Sequence, residues 1–393
     1  MKTPLILVCG LLSAFIQPLV GRDHHFHPPA DPPPSHPPVD PSPLQNKIQI
    51  ALLLDTSNSM DGLIVQAKTQ LWKVVNTFID ARRDGVAPVV EVALYEYGNN
   101  NQCVGNHYIR QVHGLTRDLD EISKQLFALS TNGGDEYCGA VIQRALADLT
   151  WDPNPKIYKV IFIAGNEPFT QGPVEPRQAC RDALSKGILI NTIHCGSREG
   201  GVAGAWHDGA ALGGGKYMVI DQDRPVCHIQ APQDNKISEL GIELNNTYLG
   251  YGKLRHEAAA KQCAADRDAI ANCAAGANVQ RALTKASQNY SNAAWDLVDA
   301  TRDHQIDAAR LDANDLPVAL RGLSPEVLQV RIAEAAKKRA SIQARIDALN
   351  KEREAFVADE LKKRATAPGQ TLDEVIVETV RNQAIALGYQ FEK

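Results

Sequence analysis

Three oxygen-bearing side chains stand two residues apart in the stretch QIALLLDTSNSM, residues 49–60: Asp55, Ser57 and Ser59. A carboxylate and two hydroxyls are hard donors, the kind that Mg²⁺ and Ca²⁺ prefer. They follow an apolar run that ends abruptly, so they fall at the end of a buried strand. A plainer reading makes Ser59 a helix N-cap and Asp55 a polar strand end. Three oxygen side chains at one strand end exceed what capping needs, so a divalent-cation site is the expectation here. Other chemistry is sparse. The sequence contains no G-x-S-x-G elbow and no phosphate-binding loop. His107, His113 and His194 lack zinc-like spacing. His194 and Cys195 are neighbours in a strand and point to opposite faces, which argues against thiol catalysis.

The elements that would position these oxygens alternate in type. Apolar runs at 47–54, 89–97, 159–165, 188–196 and 216–221 read as strands, with a more polar one at 107–112. Helical spacing links them over 62–83 (Leu63, Ala67, Leu71, Val74, Val75, Phe78), 118–128, 138–149, 174–186 and 203–213. Such alternation predicts an α/β fold, a doubly wound, mostly parallel sheet covered on both faces. Ligands of such sheets bind beyond the carboxyl ends of the strands, near the topological switch point. Asp55 stands at such an end.

With Asp55-x-Ser57-x-Ser59 after the first strand and this order of elements, residues 47–221 resemble a von Willebrand factor type A domain. The loop TNGGDEYCG stands where that family has its second metal loop, and IFIAGNEP where it has its third. The resemblance implies a metal-ion-dependent adhesion site holding Mg²⁺, Mn²⁺ or Ca²⁺, completed by an acidic residue of a protein partner. It implies adhesion or assembly, not catalysis. Matched position by position, the family's Thr falls on Asp135 and its third-loop Asp on Gly165. One hydroxyl has become a carboxylate and one carboxylate is missing. Asp135 is then the expected fourth ligand, with Glu136 as its near alternative and Glu167 reaching back toward Gly165. A carboxylate bound directly neutralises more of the cation's charge and weakens its pull on a partner's acidic group. The rival readings are a hydrolase with Glu136 or Glu167 as base beside a metal-bound water, and a scaffold whose degenerate site holds no metal.

The flanks complete the organisation. Lys2 and the apolar residues 4–20 read as a signal peptide cut near residue 21, which implies an exported protein, periplasmic or secreted. Residues 22–46 are a Pro- and His-rich linker, a spacer rather than a core; His24, His25, His27 and His36 lie in it. Net charge is −5, which disfavours nucleic acid as a partner. No apolar run after the N-terminus is long enough for a membrane span. Without Cys9 seven cysteines remain, an odd number, and export permits disulfides. Cys103 and Cys138 lie in loops expected to meet at the metal-bearing face and are a candidate brace, while Cys263 and Cys273 require a break in their helix. Residues 235–393 read as a helical region: helices at 235–252, 254–270 and 277–301, then a long one over 325–364. That last helix carries a seam of Ile332, Ala335, Arg339, Ile342, Ile346, Leu349, Arg353 and Phe356. Thr371 and Glu374 form a capping box for a final helix. The whole chain resembles exported bacterial proteins that join one such domain to a helical region, a likeness that implies no particular activity.

Overall fold

A computed structural model describes residues 46–78, 81–220, 229–271, 276–287, 290–307, 310–364 and 372–391. The expected signal peptide, most of the expected linker, Cys227, Cys273 and Thr371 lie outside the described residues.

Six strands form the main sheet: β1 (Lys47–Asp55), β3 (Val89–Tyr97), β4 (Arg110–Thr116), β5 (Tyr158–Gly165), β6 (Leu189–Cys195) and β7 (Gly214–Ile220). Their order is β4-β3-β1-β5-β6-β7, and only the edge strand β4 runs antiparallel. A two-residue strand β2 (Ala81–Arg82) pairs elsewhere with β8 (Gln390–Phe391). The chain leaves β1 toward β3 on one side and returns to β5 on the other. The switch point therefore lies at the carboxyl end of β1, where Asp55 stands.

Both faces of the sheet are covered, which is why the central strands read as unbroken apolar runs. Alternate β1 residues Ile48, Ile50, Leu52 and Leu54 pack with α1 (Ile64–Asn76) and α2 (Leu119–Ala128). Ala51 and Leu53 face α3 (Cys138–Asp148) and α4 (Pro176–Ser185).

The helix expected near 203–213 is α6 (Trp206–Leu212); a further short helix, α5 (Arg198–Ala203), precedes it, and Ala205 takes a left-handed conformation between the two. The helical region holds α7 (Asp234–Glu243), α8 (Arg255–Ala271), α9 (Ala277–Ala286), α10 (Leu297–Arg302) and α11 (Pro325–Arg364). The single helix expected over 277–301 is broken between α9 and α10, where Ser287 turns extended. The arginines that interrupt the α11 seam are partnered within the chain. Arg339 donates to Asp296 and Asp299 at 2.9 Å, and Arg353 to Asp234 at 2.7 Å.

The final helix α12 (Leu372–Ile385) leaves the helical region and returns to the sheet. Ile376, Val380 and Ala384 join the β1–α1 core, and Tyr389 Oη donates to Lys47 O at 2.8 Å. Helix periodicity could announce α12 but not where its apolar stripe docks.

Candidate metal centre

Asp55 is fully buried at the end of β1, opposite Tyr97 in the parallel pairing with β3. The chain then turns away from the sheet. Thr56 N–H donates to Tyr97 O at 2.9 Å, and Ser57 N–H folds back to Asp55 Oδ1 at 2.8 Å. A short 3-10 turn follows at Asn58–Met60. No side chain caps its start, so capping does not account for Ser57. The Ser57 and Ser59 hydroxyls lie 2.8 Å apart. Ser59 Oγ donates to Asn166 Oδ1 at 3.0 Å, and Asn166 Nδ2 donates back to Ser59 O at 3.2 Å. Asp55, Ser57 and Ser59 thus converge, and Asn166 joins them from the loop after β5.

The two neighbouring carboxylates of the second loop part company. Asp135 is exposed and accepts a hydrogen bond from Tyr137 Oη at 3.0 Å. Glu136 is buried and turns inward toward Ser57 and Asp55. Gly98 lies between the two acids: a Cβ there would meet Asp55 Oδ1 and Glu136 Cγ, each at 2.9 Å. Gln171, with its amide set to satisfy both contacts, donates to Glu136 Oε2 at 3.0 Å and to Glu136 O at 3.2 Å. Asp135, named from the sequence as the fourth ligand, is therefore not the acid beside Asp55. Glu136 is.

The gap expected at Gly165 is filled, but not by Glu167. A Cβ on Gly165 would meet Tyr97 Oη at 2.5 Å, Trp206 Cη2 at 3.0 Å and Asp55 Cβ at 3.1 Å. The Tyr97 phenol occupies that space and donates to Ala164 O at 2.9 Å. Glu167 acts on the site from further off, its charge helping to push the Glu136 carboxyl up. Asn166, Tyr97, Gly98 and Gln171 escaped sequence reasoning. Two signals were available: the amide beside Gly165 in AGNEP, and a tyrosine closing the strand next to β1.

The electrostatics are those of a site lacking a positive charge. Burial pushes the Asp55 carboxyl up to about 7, against hydrogen bonds from Ser57 and Asn166, and Glu136 adds to the push. Burial raises Glu136 as well, against a hydrogen bond from Ser57, with Glu167 and Asp135 acting in the same direction. Asp55 Oδ2 is buried and accepts no hydrogen bond. A buried acceptor left unmade costs about 1–3 kcal/mol, more for a charged one. Two buried acids beside hydroxyls, one oxygen unused, fit a hard cation. Among the described residues no group of three or more His, Cys, Asp or Glu side chains is placed to hold a metal. A cation here would rest on Asp55, Glu136 and the serine hydroxyls.

One sequence expectation fails nearby. Cys103 is exposed and Cys138 buried, and both are free, so the expected brace is absent. Cys138 Sγ points instead toward Tyr97 Oη, 3.7 Å away.

No protein-family model matches this chain, and no curated protein matches it. Solved structures do. The VWA domain of SpRpn10 shares 17% identity over 45% of this chain and 89% of its own, with a TM-score of 0.35. BatB from Bacteroides thetaiotaomicron shares 18% over 44% of this chain and 90% of its own, TM-score 0.34. Proximal thread matrix protein 1 from the mussel byssus, whose MIDAS motif was solved with zinc, shares 13% over 46% of this chain, TM-score 0.34. This chain spans 43% of that protein's length. The fold itself, a doubly wound and mostly parallel α/β sheet, rests on the strand order of this chain. The Thr position of the type A pattern falls on Asp135, but the acid that faces Asp55 is its neighbour Glu136, and the Tyr97 phenol fills the space at Gly165.

Proposed function

We propose that this chain is an exported protein-binding module whose contact surface is organised by a divalent cation, Mg²⁺ or Mn²⁺ in preference to a softer metal. The observation that carries the reading is the unpartnered, buried Asp55 Oδ2 beside a second buried acid, Glu136, and the Ser57 and Ser59 hydroxyls. When bound, the cation supplies positive charge to which a partner's acidic side chain is drawn. The chain's own residues set how strongly. Asp55 and Glu136 as two direct carboxylates leave less charge for an outside carboxylate than one would. Retention of the cation is then good and affinity for an acidic partner modest. Binding is favoured over hydrolysis because Glu136, the nearest candidate base, is engaged by Ser57 and Gln171. Export rests on the N-terminal sequence, and N-terminal sequencing of protein from its native cell should find a start near residue 22.

Calorimetric titration with Mn²⁺ tests the site. The parent should bind one ion. Asp55→Ala and Glu136→Gln should each weaken binding by more than about tenfold, roughly 1.4 kcal/mol. Asp135→Asn should change it little. No binding by the parent, or equal binding by Asp55→Ala, would refute the reading.

A further inference from the structure

Two helices of the first domain each have one end at the metal centre and the other on the helical region. Helix α1 has 13 residues and starts just after the Asp55–Ser59 loop, so its far end lies about 20 Å away. Helix α2 has 10 residues and runs the other way, its last turn feeding the loop that carries Glu136. At the metal end the two are fastened together. Lys68 of α1, itself buried, donates to Phe127 O at 3.3 Å and to Leu129 O at 2.5 Å, at the end of α2. Asn132 N–H donates to Thr56 O at 2.9 Å, and Thr131 Oγ1 donates to Asp61. The Glu136 loop therefore lies against the Asp55 loop in a register fixed by α1 and α2.

At the distal end the same two helices meet α9. Asn76, the last residue of α1, donates to Gln280 Oε1 at 2.7 Å and to Gln280 O at 3.2 Å, and it accepts from Thr284 Oγ1 at 2.6 Å. Asp120, in the first turn of α2, is buried. It accepts from Arg281 and, at 2.6 Å, from Tyr290 Oη. Arg281 reaches Asp266 of α8 at 2.9 Å. Lys261 of α8 pairs with Asp118 at 2.9 Å and Glu121 at 2.5 Å. Adjacent residues of α9, Gln280 and Arg281, thus hold one helix each.

We propose that α9 sets the spacing of the two oxygen-bearing loops by gripping the distal ends of α1 and α2, so that the helical region and the metal centre form one coupled unit. Asn76 and Asp120 are positioning residues in this scheme, since neither touches the site. The coupling is reciprocal by linkage: whatever binds at the loops tightens the grip of α9, and whatever loosens α9 weakens binding. The inference builds on the metal reading, but one arm of its test does not depend on it.

The full chain is compared with Asn76→Ala, which removes three hydrogen bonds to α9, and with Gln280→Ala, which removes from the α9 side the amide oxygen that Asn76 donates to and leaves the buried charges paired. Ile332→Val, in the separate α10–α11 cluster, serves as a control for general destabilisation. Amide hydrogen exchange over residues 129–136, without added cation, should quicken by about fivefold or more in both variants of the α1–α9 contact and not in the control. Mn²⁺ affinity should fall by a similar factor in the same two. Unchanged exchange in both variants, or an equal rise in the control, overturns the proposal. If the parent binds no Mn²⁺, the metal reading falls and the exchange result alone decides the coupling.

Discussion

The absent third-loop carboxylate invites an obvious repair, Gly165→Asp, and the packing around Gly165 says that the repair fails. A single methyl there would lie 2.5 Å from Tyr97 Oη, 3.0 Å from Trp206 Cη2 and 3.1 Å from Asp55 Cβ. None of these is the free end of a surface side chain: all three residues are buried, and the phenol is anchored to Ala164 O at 2.9 Å. Overpacking of this kind costs about 1–3 kcal/mol, so Gly165→Ala should destabilise by that amount, and Gly165→Asp by more because it adds a charge beside Asp55. Tyr97→Phe removes the atom in closest conflict and loses its hydrogen bond to Ala164 O, about 1 kcal/mol, together with the weak one from Cys138 Sγ. In the double variant the methyl's nearest neighbour becomes the indole at 3.0 Å, a contact that small shifts can relieve. The double variant should therefore be more stable than the sum of the singles by about 1–2 kcal/mol. Urea unfolding followed by far-ultraviolet circular dichroism measures all four proteins. A coupling near zero, or a Gly165→Ala cost under about 0.5 kcal/mol, would show that Tyr97 does not fill the vacancy.

Gly98→Ala should be more damaging to binding than to folding. Gly98 has φ +75, where a side chain costs about 1–2 kcal/mol, and the methyl would press on both Asp55 and Glu136 at 2.9 Å, so Mn²⁺ titration should show a loss of more than about tenfold. Stability should rise with alkaline pH through Lys285. Burial holds its ammonium down to about 8, against Asp266, below its ordinary value of 10.5. The folded state thus binds this proton less tightly than the unfolded chain, and the penalty shrinks as pH climbs from 8 toward 10. The urea midpoint should increase over that window, by up to about 1.4 kcal/mol per pH unit, and Lys285→Met should flatten the rise. Cys103→Ser should leave the thermal midpoint unchanged with or without reductant, whereas a disulfide to Cys138 would have contributed about 3 kcal/mol.

The first loop was legible because its three oxygens are adjacent in sequence and follow a strand buried on both faces. The second loop was legible only to the pair Asp135–Glu136. Which acid turns inward is settled by partners distant in sequence. Tyr137 is wedged over Gly172, where a Cβ would lie 2.5 Å from its ring. Gly134 lies so close to Gly98 that a Cβ would meet Gly98 O at 2.6 Å. These contacts rotate the loop so that Asp135 faces Tyr137 Oη and Glu136 faces Ser57. The Gly165 vacancy was invisible for a similar reason. Its filler belongs to β3, and only the pairing of Tyr97 with Asp55 brings the two together. Strand and helix types survived because they depend on local pattern. Helix ends failed where a backbone exception intervened, as at Ala205, or where a polar stretch broke a helical run, as after Ala286.

The helical region raises the question of why its contact with α1 and α2 is polar, and at α2 charged, rather than apolar. Arg281 and Lys285 are buried with Asp120 and Asp266, two cations against two anions. Burial alone would raise Asp266, but Lys285 and Arg281 outweigh it and hold that carboxyl below its usual range. Buried ion pairs are poor sources of stability, because desolvation offsets most of the attraction, and apolar replacements of similar volume often do as well. What the charges add is a fixed register. An apolar seam between α9 and the first domain would tolerate sliding by a turn at little cost. Sliding α9 here would break the Arg281–Asp120 pair while both stay buried, and breaking such a pair costs about 3–5 kcal/mol. The polar contact therefore suits a helix that must hold two others at a set distance, and it lies at the ends of α1 and α2 opposite the oxygen-bearing loops.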